Sequence, residues 1–366
     1  MHNNFLNVSR ETKMMINENI NVLDFCKKPE YFETAGRVSS YWSWTDYFGS
    51  INCRISNSFR MKYKIEAGLY ALGEPDENSD VFVSANYKLS FNILRKALNG
   101  FSVWILALDT KGINVWCAAG KGTFGTKELV NSIKKAKLGN FLNHRHIIVP
   151  QLGAVGVNAD AVFKQTGFKV HFGPVYAKDI KDYLKAGKRK TSKMRKVNFS
   201  ILDRVILTPM EIIPAFKKFF IFAVIVLLFF GLEPEGILFK NAWESGMPFL
   251  LLGLASIIAG TFITPVFLPF IPFHSFALKG YIIGVLAVIP VILLLNVPEQ
   301  RNILILIAEM IFFPSASSYL ALQFTGSTSY TNMSGVKKEL KIALPAYLIS
   351  AAISFILLII YKLYRL

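Results

Sequence analysis

The hydrophobic positions of this chain follow two patterns: short apolar runs that alternate with amphipathic stretches up to about residue 186, and long apolar runs from residue 212 onward. The short runs are typical of buried strands, and the stretches between them have the spacing of helices. The predicted strands are Val81–Ser84, Val103–Leu108, His146–Val149 and Lys169–Phe172, and the predicted helices lie within 91–98, 126–139 and 158–167. This alternation predicts an α/β domain on an open parallel sheet, in which a ligand binds beyond the carboxyl ends of the strands.

The long apolar runs predict a membrane domain. A helix of ~20 apolar residues crosses ~30 Å of hydrocarbon, and five segments of the chain are that long. Because five such segments follow one another, we predict an all-α domain of five transmembrane helices rather than buried helices of a soluble domain. The segments are Ile212–Leu232, Pro248–Leu268, Ser275–Leu295, Asn302–Leu322 and Ile342–Tyr364.

Charged residues near the span ends predict the orientation in the membrane. Seven basic residues and no acid lie between Lys185 and Lys196, before the first span, whereas the following loop, residues 233–247, is acidic. The loop between spans four and five is basic, as a cytoplasmic loop should be, although the tail favours the opposite orientation weakly. We therefore expect a multi-pass protein of the inner (cytoplasmic) membrane, with a cytoplasmic N-terminal domain and an external C-terminus.

The same reasoning divides the chain into four parts. Residues 1–60 are an extension expected to pack on the α/β domain of 61–186, and residues 187–211 are a basic linker before the membrane domain of 212–366. The net charge is +17, with most of the basic excess before residue 211. The linker lacks the base-stacking residues of a nucleic-acid site, so we expect no nucleic acid. Contact with anionic lipid headgroups, at ~1 kcal/mol per basic residue, and a plain solvated linker both remain open.

The cysteines exclude several kinds of metal site. The chain has three of them, Cys26, Cys53 and Cys117, far apart and without a CxxC pair, which excludes a zinc knuckle and a four-cysteine iron–sulfur cluster. The loops after the predicted strands are rich in Gly, Ala and Asn but contain no GxGxxG, no P-loop and no DxHxxG. The sequence therefore disfavours a dinucleotide, a nucleoside triphosphate and the common histidine-ligated cobalamin module.

One loop, GINVWCAAGKG from Gly112 to Gly122, has a pattern of its own. Asn114 is expected to cap a short helix, VWCAAGK, that Gly122 ends. Cys117 would lie in the first turn, where the helix dipole favours a thiolate, and Lys121 would add positive charge. The small residues Ala118, Ala119 and Gly120 would let the helix lie against a planar ligand. A buried structural cysteine and an axial ligand to a metal in a macrocycle are both compatible with these residues.

NVWCAAGKG resembles the cap-helix motif of the mercury-methylation corrinoid protein family. The similarity covers nearly the whole chain, with departures at Ser90, where threonine is expected, and Val155, where proline is common. The α/β half resembles, more distantly, the large subunit of the corrinoid iron–sulfur protein, which lacks this cysteine motif and carries its own cluster. The similar stretches include YKIEAGLYALGEP, VFVSANYKLSF, LDTKGINVWCAAGKGTFGTKELV and FTGSTSYTNMSGVKKEL.

The resemblance implies a Rossmann-like, TIM-related domain that binds a cobalamin-type corrinoid in its base-off form. Cys117 would be the catalytic residue and the lower axial ligand of cobalt, and the electron-rich metal would release its methyl group as a carbanion equivalent to inorganic Hg(II), giving methylmercury. The implied cofactor-binding residues are Ser84, Asn86, Ser90, Asn114, Val115, Trp116, Ala118, Ala119, Gly120, Lys121, Leu152, Gly153 and Val157.

The resemblance also implies partners. A small ferredoxin with two 4Fe–4S clusters would supply electrons and is a candidate donor of mercury. A methyltetrahydrofolate-type donor would supply methyl groups through another methyltransferase. Cys26 and Cys53 would relay mercury or be spare thiols. Two alternatives remain: a corrinoid methyl carrier of one-carbon metabolism with another acceptor, and a membrane transporter with a cytoplasmic sensor domain.

Overall fold

The computed structural model describes residues 35–234, 236–295, 302–327, 330 and 333–365. Cys26 and most of the predicted extension 1–60 lie outside these residues. The described chain forms two compact units, the first with residues 35–49 and 61–196 and the second with 50–60 and 197–365. The division predicted from the sequence places a linker at 187–211, whereas residues 187–196 belong to the first unit in the structure.

The first unit is an α/β domain. The boundaries between the units fall inside its first two helices, after Gly49 in α1 and after Arg60 in α2. The strands are β1 Gly36–Val38, β2 Gly68–Leu72, β3 Val81–Ala85, β4 Val103–Leu108, β5 His146–Val149 and β6 Lys169–Phe172. The helices are α1 Trp44–Ile55, α2 Asn57–Lys62, α3 Lys88–Ala97, α4 Val115–Lys121, α5 Thr126–Lys135, α6 Leu138–Phe141, α7 Ala159–Thr166 and α8 Ile180–Lys185. The four predicted strands and the three predicted helices are therefore all present; three strands have the predicted bounds, β3 is one residue longer, and the ends of the helices differ.

The six strands form one sheet in the order β1-β2-β4-β3-β5-β6. Strands β3 to β6 are parallel, as predicted, but β2 runs antiparallel to β4 and β1 pairs with β2. The prediction of a fully parallel sheet was therefore wrong at this edge. A parallel connection requires a crossover of a dozen or more residues, and the short segment 73–80 between β2 and β3 instead reverses the chain, beginning at Gly73 with φ +69°.

Strand β4 is buried along its whole length, so its side chains divide the core into two layers. On one face, Ile105 belongs to a cluster with Phe91 of α3 and Tyr183 of α8. Alternation along the strand places Trp104 on the other face, where its ring meets Phe141 edge-on at 5.4 Å. Helices on both faces explain why these strands read as continuous apolar runs.

The second unit is helical. Among the described residues it contains five helices that are long and apolar enough to cross a membrane, as predicted from the sequence. A π-helical turn at Ala259–Ile263 joins α11 to α12, so the second apolar segment is a continuous helix that contains one π-helical turn. The elements are α9 Ile201–Leu207, α10 Pro209–Gly231, α11 Phe239–Ile258, α12 Thr264–Val266, α13 Phe276–Leu295, α14 Ile303–Gln323 and α15 Met333–Arg365, with a small hairpin of β7 Leu232–Glu233 and β8 Gly236–Ile237.

Candidate functional site

A pocket of about 370 Å³ lies at the carboxyl ends of the parallel strands in the first unit. This is the sheet edge where the sequence pattern placed a ligand. One wall comes from the first residues of α4, and the others come from α3 and from the loops after β5 and β6. The lining residues are Phe82, Val83, Ser84, Ser90, Ile93, Leu94, Asn114, Val115, Trp116, Ile148, Pro150, Leu152, Gly173, Pro174, Val175, Tyr176, Ala177 and Ile180.

Helix α4 has the bounds that its sequence predicts. The side chain of Asn114 accepts a hydrogen bond of 2.9 Å from the backbone N–H of Cys117, which satisfies one of the free donors in the first turn. Gly122 ends the helix in the left-handed region with φ 79°. Cys117 is a half-buried free thiol in this capped first turn.

Asn86 holds the loop that leads into α4. Its side-chain oxygen accepts hydrogen bonds from the backbone N–H groups of Thr110 and Gly112, at 3.1 and 3.0 Å, and from the Thr110 hydroxyl at 2.9 Å. Its amide nitrogen donates to Asp109 at 3.1 Å. The side chain is buried, its oxygen accepts three of these bonds and it is absent from the pocket lining, so Asn86 positions the loop.

The small residues of α4 pack against protein. Ala118 and Ala119 are buried, and a Cβ added at Gly156 would lie 3.2 Å from the Cα of Ala119 and would collide with the carbonyl oxygen of Phe124. The backbone of the loop after β5 therefore approaches the helix as closely as glycine allows. In this structure the small side chains let two segments of backbone meet, which is a different role from the flat ligand-facing surface that the sequence suggested.

The structure gathers only some of the predicted cofactor-binding residues at the pocket. Six of them line it: Ser84, Ser90, Asn114, Val115, Trp116 and Leu152. Cys117 lies one residue beyond the lining segment of α4. The others, outside the lining, are Asn86, Ala118, Ala119, Gly120, Lys121, Gly153 and Val157; Gly120 and Lys121 are exposed, and Gly153 and Val157 are buried.

The prediction missed the wall formed after β6. Gly173, Pro174, Val175, Tyr176 and Ala177 all line the pocket. Their signal was present in the sequence, because GPVYAKD follows a predicted strand directly and so had to lie at the same sheet edge as the cysteine loop.

A polar cluster lies at the amino-terminal ends of β3, β5 and β6, at the opposite end of these strands from the pocket. Asp80 Oδ1 lies 2.6 Å from Lys188 Nζ and 2.9 Å from His146 Nε2. The ring of His146 stacks on His144 at 3.9 Å and meets His171 edge-on at 6.0 Å. Within the described part of the chain, no group of His, Cys, Asp and Glu side chains has the arrangement of a metal site.

Comparison with known proteins concerns the first unit. Residues 55–184 match the model of the family described as CO dehydrogenase/acetyl-CoA synthase delta subunit. This segment holds every strand from β2 to β6, helix α4 and the pocket. The match covers about a third of the chain, and the apolar helices of the second unit lie outside it.

Individual relatives match the same region. The gamma subunit of the acetyl-CoA decarbonylase/synthase complex of Archaeoglobus fulgidus is 30% identical over 127 residues, which are 34% of this chain and 27% of the relative. The corrinoid/iron–sulfur protein large subunit of Moorella thermoacetica is 30% identical over 125 residues, 34% of this chain and 28% of the relative. The distant similarity expected from the sequence is thus confirmed for this region, and the chain spans about a quarter of the length of these relatives.

Proposed function

We propose that the first unit binds a corrinoid, that Cys117 would be a ligand to its cobalt, and that the protein transfers a methyl group from it to inorganic Hg(II). The observation that carries the proposal is the half-buried thiol of Cys117 in the capped first turn of α4, beside the pocket at the sheet edge. Similarity to a protein named as a corrinoid/iron–sulfur subunit supports the class of cofactor.

The pocket residues suit a flat, mostly apolar ligand with polar groups at its rim. The walls are largely aliphatic, and the hydroxyls of Ser84 and Ser90 supply donors. Trp116 leaves 47% of its large side chain exposed beside the pocket, a surface that a ring-shaped ligand would cover. Ser84, Ser90, Trp116 and Leu152 would hold the ligand, while Asn114 and Asn86 would fix the helix that carries the thiol.

A bound corrinoid supplies a cobalt ion that takes up, carries and releases a methyl group. Cys117 would place a soft, strongly donating thiolate against that metal. Such a donor favours departure of the methyl group with both electrons of its bond, which is the form that Hg(II), a soft electrophile, accepts. Asn114 would keep the sulfur of Cys117 in place, because its side chain accepts a hydrogen bond from the backbone N–H of Cys117.

Regeneration requires partners. Return of the site to a state that accepts a methyl cation takes two electrons, and three cysteines in the chain cannot hold a four-cysteine cluster. We therefore propose a ferredoxin with two 4Fe–4S clusters as the electron donor, and a methyltetrahydrofolate-type methyl donor that acts through another methyltransferase. The positive charge of the chain would favour encounter with an acidic ferredoxin.

The second unit would anchor the protein. We propose that its five apolar helices cross the cytoplasmic membrane with the first unit in the cytoplasm and the C-terminus outside. This orientation places the corrinoid site among the soluble redox and methyl donors.

A second function is favoured by the relatives. Proteins named as acetyl-CoA decarbonylase/synthase subunits match the same region, so a methyl carrier with a different acceptor is the alternative. Purified protein, a reduced ferredoxin and a methyl donor can be offered Hg(II) or other methyl acceptors side by side. Transfer of methyl groups to the other acceptors, without formation of methylmercury, would reject the mercury assignment and support the role of methyl carrier.

The ligand assignment is tested by replacing Cys117 with alanine. We expect anaerobically reconstituted wild type to show the absorption bands of cobalt bound to thiolate, and Cys117→Ala to lack these bands and to form no methylmercury. Cys53→Ala is the matched control and should keep both, unless Cys53 relays mercury, in which case the bands stay and the product falls. Thiolate bands that persist in Cys117→Ala would overturn the assignment.

The electronic role of sulfur is tested with Cys117→His. Imidazole also binds cobalt but donates less strongly than thiolate, so this variant should retain the corrinoid and form methylmercury slowly. Wild-type activity in Cys117→His would contradict the argument from thiolate donation while leaving corrinoid binding intact.

A further inference from the structure

Helix α1 presents its large apolar side chains outward. Trp44 is 90% exposed, Phe48 67% and Ile51 58%, and their spacing of four and three residues places them on one face. Ile55 extends the same face, which we call the α1 apolar face: Trp44, Phe48, Ile51 and Ile55. The opposite face, with Asp46, Gly49, Ser50 and Cys53, is buried.

This orientation is the reverse of an ordinary surface helix, and buried polar contacts fix it. Asp46 Oδ2 accepts from Arg95 at 2.6 Å, and its Oδ1 accepts from Asn92 at 2.9 Å, both from α3. Burial alone would raise the pKa of Asp46, but hydrogen bonds from Ser43 and Arg95 lower it to about 2, so the carboxylate stays ionised at neutral pH.

Gly49 adds a steric lock. A side chain at this position would collide with the ring and hydroxyl of Tyr63. Rotation of α1 to bury its apolar face would therefore carry Asp46 away from its partners and drive larger side chains into Tyr63. The outward position of Trp44 and Phe48 is thus imposed by the fold of the first unit.

The aromatic and basic residues next to α1 in the sequence indicate what covers its apolar face. Tyr41 and Tyr47 are exposed beside Trp44, and Lys96 lies over the ring of Tyr47 at 5.2 Å. From residue 47 to residue 65 the chain carries four basic residues, Arg54, Arg60, Lys62 and Lys64, and no acid. Trp and Tyr with flanking basic residues are typical of segments at the interface of a bilayer with anionic lipids.

The division of the chain points the same way. Residues 50–60, the second half of α1 together with most of α2, belong to the compact unit that contains the five apolar helices. Of the α1 apolar face, Ile51 and Ile55 therefore belong to the unit proposed to lie in the membrane, whereas Trp44 and Phe48 belong to the first unit.

We propose that α1 is an interfacial membrane helix, which inserts its apolar face among phospholipid headgroups and acyl chains while its buried face holds the first unit. This inference rests on the proposed membrane anchoring by the second unit. It adds a lipid contact made by a segment far from the apolar spans in sequence, and so a second attachment point for the cofactor-binding unit.

The test uses the full chain in lipid nanodiscs made of brominated phosphatidylcholine and phosphatidylglycerol, because bromine quenches tryptophan that lies in the bilayer. An extra tryptophan is placed in three variants, and its emission is taken as the difference from wild type. Phe48→Trp reports on α1. Phe163→Trp, at an exposed position of α7, is the matched control, and Phe220→Trp, on the exposed side of α10, reports whether the second unit is inserted.

We expect the extra tryptophan of Phe48→Trp to emit at shorter wavelength than a tryptophan in water and to lose most of its emission in brominated lipid, as for Phe220→Trp. The emission of the extra tryptophan in Phe163→Trp should not be quenched by brominated lipid. Trp44→Phe should correspondingly remove a quenchable component of the wild-type emission. If Phe220→Trp is quenched but Phe48→Trp is not, the interfacial helix is refuted and the anchoring stands. Protection of Phe48→Trp from both bromine and aqueous acrylamide would show a protein partner or second copy on this face, which also refutes it. Lack of quenching in Phe220→Trp would reject the anchoring itself and this inference with it.

Discussion

Asn114 connects the backbone of α4 to the chemistry proposed for its thiol. Its side chain accepts from the N–H of Cys117, so the cap fixes the residue that would bind cobalt. The cap, the helix and its terminal glycine were all readable from GINVWCAAGKG, since each depends on local rules. The part played by Asn86 was not readable, because its partners lie more than twenty residues away along the chain.

Replacement of Asn114 with alanine tests this connection. Loss of an N-cap costs about 1 kcal/mol, and here it should also lower the amount of corrinoid that stays bound through gel filtration. Asn158→Ala is the matched control, because Asn158 caps α7 in the same way, accepting from Ala161 at 3.0 Å. Both variants should lose similar stability in denaturant unfolding. Equal loss of corrinoid from both would show that the effect is general destabilisation.

At the scale of elements, the strands were predictable where the chain is buried on both faces, since β3, β4 and β5 are continuous apolar runs. Strand β2, GLYAL, escaped prediction because it lacks β-branched residues. Its antiparallel pairing with β4 depends on the short connection between β2 and β3. The hydrophobic periodicity of the sequence does not predict this strand direction. The outward face of α1 was equally hidden, because a regular apolar stripe normally predicts burial.

We expect the half-buried histidines His146 of β5 and His171 of β6 to make the stability of the first unit depend on pH. Burial lowers the pKa of His146 and of His171 below 6.5, so the folded state binds fewer protons than the unfolded state in the window just below that value. Stability is then fully present above pH 6.5 and decreases as the pH falls through the folded pKa values.

Thermal unfolding between pH 8 and pH 5 measures this effect. We expect the wild-type midpoint to fall on acidification below pH 6.5, and a variant with His146→Gln and His171→Gln to fall less. His274→Gln, which changes a histidine of the second unit, should follow the wild-type curve. An unchanged slope in the double variant would show that other groups set the acid sensitivity.

For the whole molecule, the two-part architecture was the most accessible feature, because five runs of about twenty apolar residues need no tertiary information. The boundary between the parts was less accessible. Residues 187–196 were expected to be part of a basic linker before the membrane domain, yet Lys188 Nζ lies 2.6 Å from Asp80 and the backbone N–H of Val175 donates to the carbonyl oxygen of Met194 at 2.9 Å. These long-range contacts place the segment in the first unit, and composition alone does not reveal them.

The proposed number of spans predicts the side of the membrane on which Arg365 lies. Five helices that all cross the membrane, as proposed, would place the segments before the first helix and after the fifth on opposite sides, so alkaline phosphatase fused after Arg365 should be active, since it folds only outside. The same enzyme fused after Gln323, the last residue of α14, should be inactive. Green fluorescent protein at these two positions should give the opposite pattern. An inactive phosphatase after Arg365 would reverse the proposed orientation.

The Asn86 hydrogen bonds bear on any attempt to build this site elsewhere. A designer who grafts GINVWCAAGKG onto another scaffold would transfer the cysteine, its cap and its terminal glycine, yet would leave behind the amide that secures the loop from the neighbouring strand. The smallest unit to transfer is therefore the ends of two adjacent parallel strands rather than one peptide. A suitable host scaffold would accept the cysteine loop after one strand and an asparagine after its parallel neighbour.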